Sequence, residues 1–289
     1  MASTGTRGIL VPGAIDARFT LTRHAPCAEL AEIVERYWIV RWMLAAPHAQ
    51  ETLPHPNVNV VVGTHQPGVH GPRRRRFLAD LEGVGWVVGA KIKPGAFRAF
   101  VDAPMVELAE RTWPVGHVFP RLAAEVAAAE RDEDRIARFE AVLCSARPAL
   151  DDDMREANRI VALAQAEPSI ARVAELAVRA RMPVRAMERL FRTHVGVTPK
   201  WVVRRYRVHE AAERVARGDG VEWSQLANEL GYADQSHLIR DFKAQIGRTP
   251  AQYASECSAA AMRRGQSGTL GDLDGRPGPD RHRTQRCAR

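Results

Sequence analysis

The sequence predicts an α+β protein: a β-rich N-terminal domain, a helical linker, and an all-α C-terminal domain built from two helix-turn-helix units in tandem. Three observations carry this reading. Short β-branched runs crowd residues 30–100. Apolar residues at helical spacing take over after Ala103. One helical pattern then recurs, approximately, between Val173 and Gly247. The 289 residues suit about two domains at roughly 100–200 residues each. The boundaries fall at 1–102 for the β-rich domain, 103–154 for the linker, 155–257 for the tandem units and 258–289 for a basic tail.

Residues 1–25 carry Gly, Pro and Thr with little periodicity and read as an irregular arm or an edge strand. The stretch from Leu30 to Trp42 begins as a helical turn and ends as a strand, because its aromatic and β-branched residues cluster late. Val58, Val60, Val61 and Val62 follow two prolines and stop at Gly63, the pattern of a short buried strand. His65 to Pro72 is loop-like, and Trp86 to Ile92 is a further strand closed by a KPGAF turn. These strands lie too close together for parallel crossovers, so the sheet should be antiparallel. After Ala103, Pro104 to Arg111 opens a helix with Pro at its first position. Arg121 to Ala129 and Asp134 to Cys144 continue in helical composition. The run Asp151, Asp152, Asp153 marks a junction and suits the N-terminus of the next helix.

From 155 to 257 the chain is helical, with turns at Pro183, Gly196–Pro199, Gly218–Gly220, Gly231 and Gly247–Pro250. Val173 to Gly196 and Trp223 to Gly247 repeat one pattern. Each has a short helix with Leu-Ala, then a tight turn. A second helix follows, burying Met187, Leu190 and Phe191 in one unit and Leu238 and Phe242 in the other. Small Ala177 and Ala227 let the paired helices approach. Gly231 supplies the positive φ that a tight turn uses, whereas the first unit has Met182-Pro183 there. Between the units, Pro199 to Gly218 reads as one long helix with an apolar face from Trp201, Val202, Val208, Ala211, Ala212 and Val215. Arg204, Arg205, Arg207 and Arg214 are expected largely off that face. About 18 residues at 1.5 Å each span roughly 27 Å. That is comparable to the roughly 34 Å between successive major grooves on one side of a duplex. After Cys257 the composition turns to Gly, Arg, Pro and Asp, and the tail is expected to be disordered.

Net charge is +8 and the pI is about 9.8. It is unevenly placed: −1 over 1–154, +5 over 155–257 and +4 over 258–289. A phosphate-rich partner would therefore meet the second half. The four cysteines, Cys27, Cys144, Cys257 and Cys287, lie far apart with no CxxC or zinc-finger spacing, and read as reduced thiols of a cytoplasmic protein. No signal-peptide layout and no apolar run of membrane-spanning length is present in the sequence. No metal and no cofactor is expected.

The stretch from Ile170 to Tyr253 resembles the DNA-binding domain of the AraC/XylS family. The resemblance rests on RLF…VGVTP (189–199), Arg207 to Ala211, LANELGY…DQSHLIRDFK (226–243) and GRTPAQY (247–253). It implies a bacterial transcription regulator that binds asymmetric sites with both units. ETLPHPNVNVVV, VGAKIKPGAF and ERYWIVRW are more loosely similar to the sensor-like β domains found upstream of such modules. The partners implied are double-stranded DNA, RNA polymerase, a small-molecule effector at the N-terminal domain and a second copy of the chain.

On the exposed face of the first second-helix, Arg185 and Arg189 stand one turn apart and suit guanine O6 and N7. Arg189 matches the family's contacting position ahead of Leu-Phe. Glu188 either accepts from cytosine N4 or pairs with Arg192 at i+4, the second being favoured. In the second unit Asp234 fits an N-cap, leaving Gln235, Ser236, His237 and Arg240 toward the groove. Arg192, Lys200, Arg204, Lys243 and Arg248 are phosphate candidates that would position without reading sequence. The run Arg73–Arg76 reads as a solvated loop or strand edge ahead of a second anion-binding patch. Arg98 or Lys93 would be the choice for an anionic effector.

Two rival readings have specific requirements. A DNA-repair methyl acceptor needs an activated thiolate, and none of the cysteines sits in such a motif. A metal- or ligand-binding β domain with enzymatic activity would draw on His48, His55, His65 and His70, yet no HxH or HExxH spacing occurs. GxSxG, GxxxxGK[ST] and GxGxxG at a strand–helix junction are absent from the sequence as well.

Overall fold

The computed structural model describes residues 10, 19–146, 148–218 and 222–268. Among the described residues six strands come first and the α-helices after, an α+β order. The strands are β1 (Phe19–His24), β2 (Val34–Thr52), β3 (Val58–Gly63), β4 (Gly68–His70), β5 (Phe77–Ile92) and β6 (Thr112–Trp113), in one sheet of order β1-β2-β5-β3-β4-β6. All pairings are antiparallel, as expected of strands joined without crossover helices. β1 is the edge strand foreseen for the arm. β2 and β5 are far longer than the runs that announced them. A register break between Leu44 and His48 bends the pair, so its far half curls back over one sheet face.

The two faces differ in chemistry. Tyr37, Ile39, Val58, Val60, Val62, Val88, Ala90 and Ile92 point to one side and form the main core. On it pack α1 (Val115–Val118), α2 (Leu122–Ala127) and α3 (Asp132–Ser145), through Phe119, Leu122, Val126, Ile136, Phe139 and Leu143. These helices complete the β domain instead of merely linking it onward. Two local readings are corrected. Pro104 to Arg111 holds only a 3-10 turn at Met105–Glu107 with Pro104 as its cap. His65 to Pro72 contains β4, a strand too short to show periodicity, which exists because it pairs with β3 and β6.

The acidic run does cap the next helix. Asp151 accepts a hydrogen bond from the Met154 backbone N–H at 2.7 Å, starting α4 (Asp152–Ala166). α4 shares a core with α5 (Val173–Ala180) and α6 (Val184–His194). α7 (Pro199–Arg217) joins this unit to α8 (Trp223–Glu229) and α9 (Gln235–Ile246), and α10 (Pro250–Gly268) ends the described chain. The expected disorder from 258 is therefore corrected over 258–268. There the alanine-rich segment prolongs α10, and Ala260 is buried. Residues 269–289 lie outside the described residues.

Candidate nucleic-acid interface

Each helix-turn-helix unit is held by its own core. Leu176, Ala177 and Ala180 of α5 pack under Met187, Leu190 and Phe191 of α6. Leu226 and Ala227 of α8 pack under Leu238, Phe242 and Ile246 of α9. The turns solve one steric problem in two ways. Gly231 sits at φ +66°, and a Cβ there would meet the Ala171 methyl at 2.8 Å. The first unit, lacking glycine, places Arg181 in the left-handed region at φ 53°. That is a conformation a non-glycine residue adopts at some cost.

Both second helices start with all their polar candidates outward. On α6, Arg185, Glu188, Arg189 and Arg192 are exposed. No ion pair joins Glu188 to Arg192, so the favoured pairing is corrected and both side chains point to solvent. On α9, Asp234 caps the helix by accepting from the His237 N–H at 2.7 Å. Gln235, Ser236, His237, Arg240 and Lys243 are exposed. The His237 ring stands edge-on to Tyr232, with centroids 5.3 Å apart. Arg240 folds back on its own helix, donating to the Ser236 carbonyl at 3.3 Å. Lys200, at the start of α7, is exposed too.

Two phosphate candidates are engaged within the chain. Arg204 is half exposed and pairs with the buried Asp241, which raises its already high pKa. Arg248 is drawn into ion pairs with Glu51 at 2.5 Å and Glu256 at 3.0 Å. Its guanidinium therefore faces the β domain instead of a free surface.

α7 departs from expectation in a physically specific way. Sequence pattern puts Arg205 and Arg207 off the apolar face, yet both are buried, Arg205 completely. Arg205 lies over the Trp201 ring and donates to the Arg74 carbonyl of the β domain, and burial depresses its pKa to about 10. Arg207 lies 3.6 Å from the Tyr232 ring centroid and donates to the Leu230 carbonyl at 2.7 Å. It thereby ties α7 to the turn of the second unit. Asp241, which spacing did not single out, is the matching acceptor. It takes hydrogen bonds from Arg204, from the Tyr232 hydroxyl at 3.0 Å and from Gln245 at 3.2 Å.

The run Arg73–Arg76 is a loop whose middle, Arg74 and Arg75, is exposed, while Arg73 and Arg76 at its ends are partly buried and engaged within the chain. Arg76 donates to the Ile246 carbonyl at the C-terminus of α9, at 2.8 Å. Lys93 donates to the Ala31 carbonyl and Arg98 pairs with Asp102. Both are thus spent on local bonds. The histidines are dispersed: His55 stacks on His209 of α7, His70 bonds Gln66 and Thr112, and His65 meets Trp42 edge-on.

A helix-turn-helix domain family matches residues 176–256, and a domain of unknown function (DUF6597) matches residues 22–114. The HTH-type transcriptional activator RhaS of Pectobacterium carotovorum subsp. carotovorum (strain PC1) is 29% identical over 75 residues. That match takes in 26% of this chain and 26% of that one, so the chain spans about a quarter of the length of the curated relative it matches. Among solved structures, ToxT from Vibrio cholerae is 13% identical, with a TM-score of 0.37 over 82% of this chain and 97% of that one. ToxT from Vibrio cholerae O395 is 13% identical, with a TM-score of 0.37 over 84% and 99%. The C-terminal region is a helix-turn-helix domain. It follows the region that matches DUF6597, and its own sequence is similar to that of the HTH-type activator RhaS.

Proposed function

We propose that this protein is a sequence-specific, DNA-binding transcription regulator. α6 and α9 would read neighbouring major grooves, and the N-terminal domain would bias that binding by taking a small-molecule effector or a second copy of the chain. The observation that carries the reading is the doubled unit: two second helices whose buried sides are apolar and whose outer sides offer Arg185, Arg189, Gln235 and Arg240. Arginine suits guanine and glutamine suits adenine in the major groove. Glu188, Ser236 and His237 complete the base-reading set. Arg192, Lys200 and Lys243 are left as phosphate contacts. Arg204 would join them only by leaving Asp241, and Arg248 drops out of that role because Glu51 holds it. The positive charge of the second half matches such a partner, and RNA polymerase is the protein partner this reading adds.

Selection of bound fragments from genomic DNA, at two salt concentrations, tests this. Wild type should enrich one motif of two half-sites about one helical turn apart. Arg189→Ala should relax one half and Arg240→Ala the other, each by about 1–3 kcal/mol. Binding that is salt-sensitive and indifferent to sequence would end the proposal.

A further inference from the structure

The sheet face opposite the main core does not close on itself. Between it and the curled-back half of β2 and β5 lies a cavity of about 260 Å³. Its floor has two tryptophans set on glycines. Trp38 lies directly across from Gly89 and Trp42 from Gly85 in the β2–β5 register. A Cβ on Gly89 would meet the Trp38 indole at 2.2 Å, and one on Gly85 would meet the Trp42 indole at 2.2 Å. The rings therefore lie down on the neighbouring backbone and present flat apolar surface. Phe19, Val40, Leu81 and Val87 extend it.

Three neighbouring strands, β1, β2 and β5, share one chemical gradient. Toward one end of the cavity β1 carries Phe19, β2 Trp42 and β5 Gly85. Toward the other they carry Arg23, Arg36 and Lys91. Arg36 and Lys91 are cross-strand partners, and Glu35 pairs with both at about 3 Å. No carboxylate lines the cavity among the described residues, and Arg23 has no ion-pair partner among them. One carboxylate, Glu35, thus stands against three cations and pairs with two of them, and the site carries a surplus of positive charge beside an aromatic floor. A monoanion would neutralise that surplus where water is displaced.

We propose that this cavity binds an aromatic carboxylate, its ring system flat on Trp38 and Trp42 and its carboxylate at Arg23 and Arg36. The proposal deepens the effector part of the function above and rests on it. The wall next to the site is shared with the helix-turn-helix domain. His55 lines the cavity and stacks on His209 of α7 with centroids 4.1 Å apart, and Leu53 is buried in the core around α9. An occupant would thereby touch residues that seat the DNA-reading half.

Isothermal titration of the full chain with 2-naphthoate and with its neutral counterpart, 2-naphthalenemethanol, tests this. Saturable one-to-one binding is expected, at least about tenfold tighter for the acid than for the alcohol. Arg23→Gln should erase most of that difference and leave the alcohol's affinity unchanged, with a circular-dichroism melt verifying its fold. Equal affinity for both compounds, or no saturable binding of either, would overturn the proposal, as would full acid affinity in a folded Arg23→Gln protein. Should Arg23→Gln not fold, the acid-to-alcohol contrast in wild type decides alone. Fragment selection on the same protein preparation keeps the two readings apart. A DNA motif without acid binding removes this inference only, and acid binding without a motif removes the regulator reading only.

Discussion

Lys91 shows how a single side chain can set the pH behaviour of the β domain. It is almost fully enclosed, and burial, only partly offset by Glu35, pulls its pKa from 10.5 to about 8. Unfolding returns the ammonium to water. Between about pH 8 and 10.5 the unfolded chain therefore holds a proton that the folded chain has released, and stability rises with pH across that window. Below about 8 both states are protonated and this contribution is flat. The full rise is on the order of 3 kcal/mol. Denaturant titrations of wild type and Lys91→Met from pH 7.5 to 10.5 read it as a difference. The wild-type curve should climb relative to the variant, and parallel curves would show that Lys91 releases its proton at the same pH folded or unfolded.

Among the elements, α7 is the one whose placement determines whether two reading helices act together. Besides Arg207, its link to the second unit runs through Asp241, buried and accepting from Arg204, Tyr232 and Gln245. Asp241→Ala would leave the Tyr232 hydroxyl without its acceptor inside the protein, at a cost of about 1–3 kcal/mol. The damage should be local. Hydrogen exchange should quicken in α8 and α9 while α5 and α6 stay protected, and Asp241→Asn should recover part of the loss. Equal acceleration in both units would show that Asp241 holds the whole domain and not this joint. The helices themselves were legible because apolar spacing, proline starts and glycine ends repeat twice within 80 residues. Arg205 and Arg207 were not legible as buried groups. Local pattern assigns a guanidinium to water, and what admits them, the Arg74 carbonyl and the Tyr232 ring, lies far along the chain. The outward faces of α6 and α9 could be read from periodicity, whereas the capture of Arg248 by Glu51 depends on how two domains meet.

That meeting is the main feature of the whole molecule, and Glu51 is its polar centre. β2 alternates, so Gln50 and Thr52 line the cavity while Glu51 faces the helix-turn-helix domain. Its carboxylate lies 2.5 Å from Arg248, which precedes α10, and 3.8 Å from Arg76, which in turn holds the last carbonyl of α9. Around it Leu10 and Leu53 join the core of the second unit. Only about a fifth of the Glu51 and Arg248 side chains is exposed, so salt should weaken this pair less than a surface pair. Glu51→Gln would leave two guanidiniums side by side around a neutral amide, with the α9 terminus attached to one of them. Wild type should melt in one transition, while Glu51→Gln should uncouple the domains into two and open cleavage sites between them to protease. Glu256→Gln is the control, because Glu256 binds the same Arg248 from within its own domain and from a more exposed position. If the two variants behave alike, the loss is one of charge on Arg248 alone, and the domains are held together by Leu10, Leu53 and the His55–His209 stack. If only Glu51→Gln splits the melt, the β domain grips the second reading helix through this carboxylate. Cavity and DNA-reading surface would then be joined by one strand of alternating side chains.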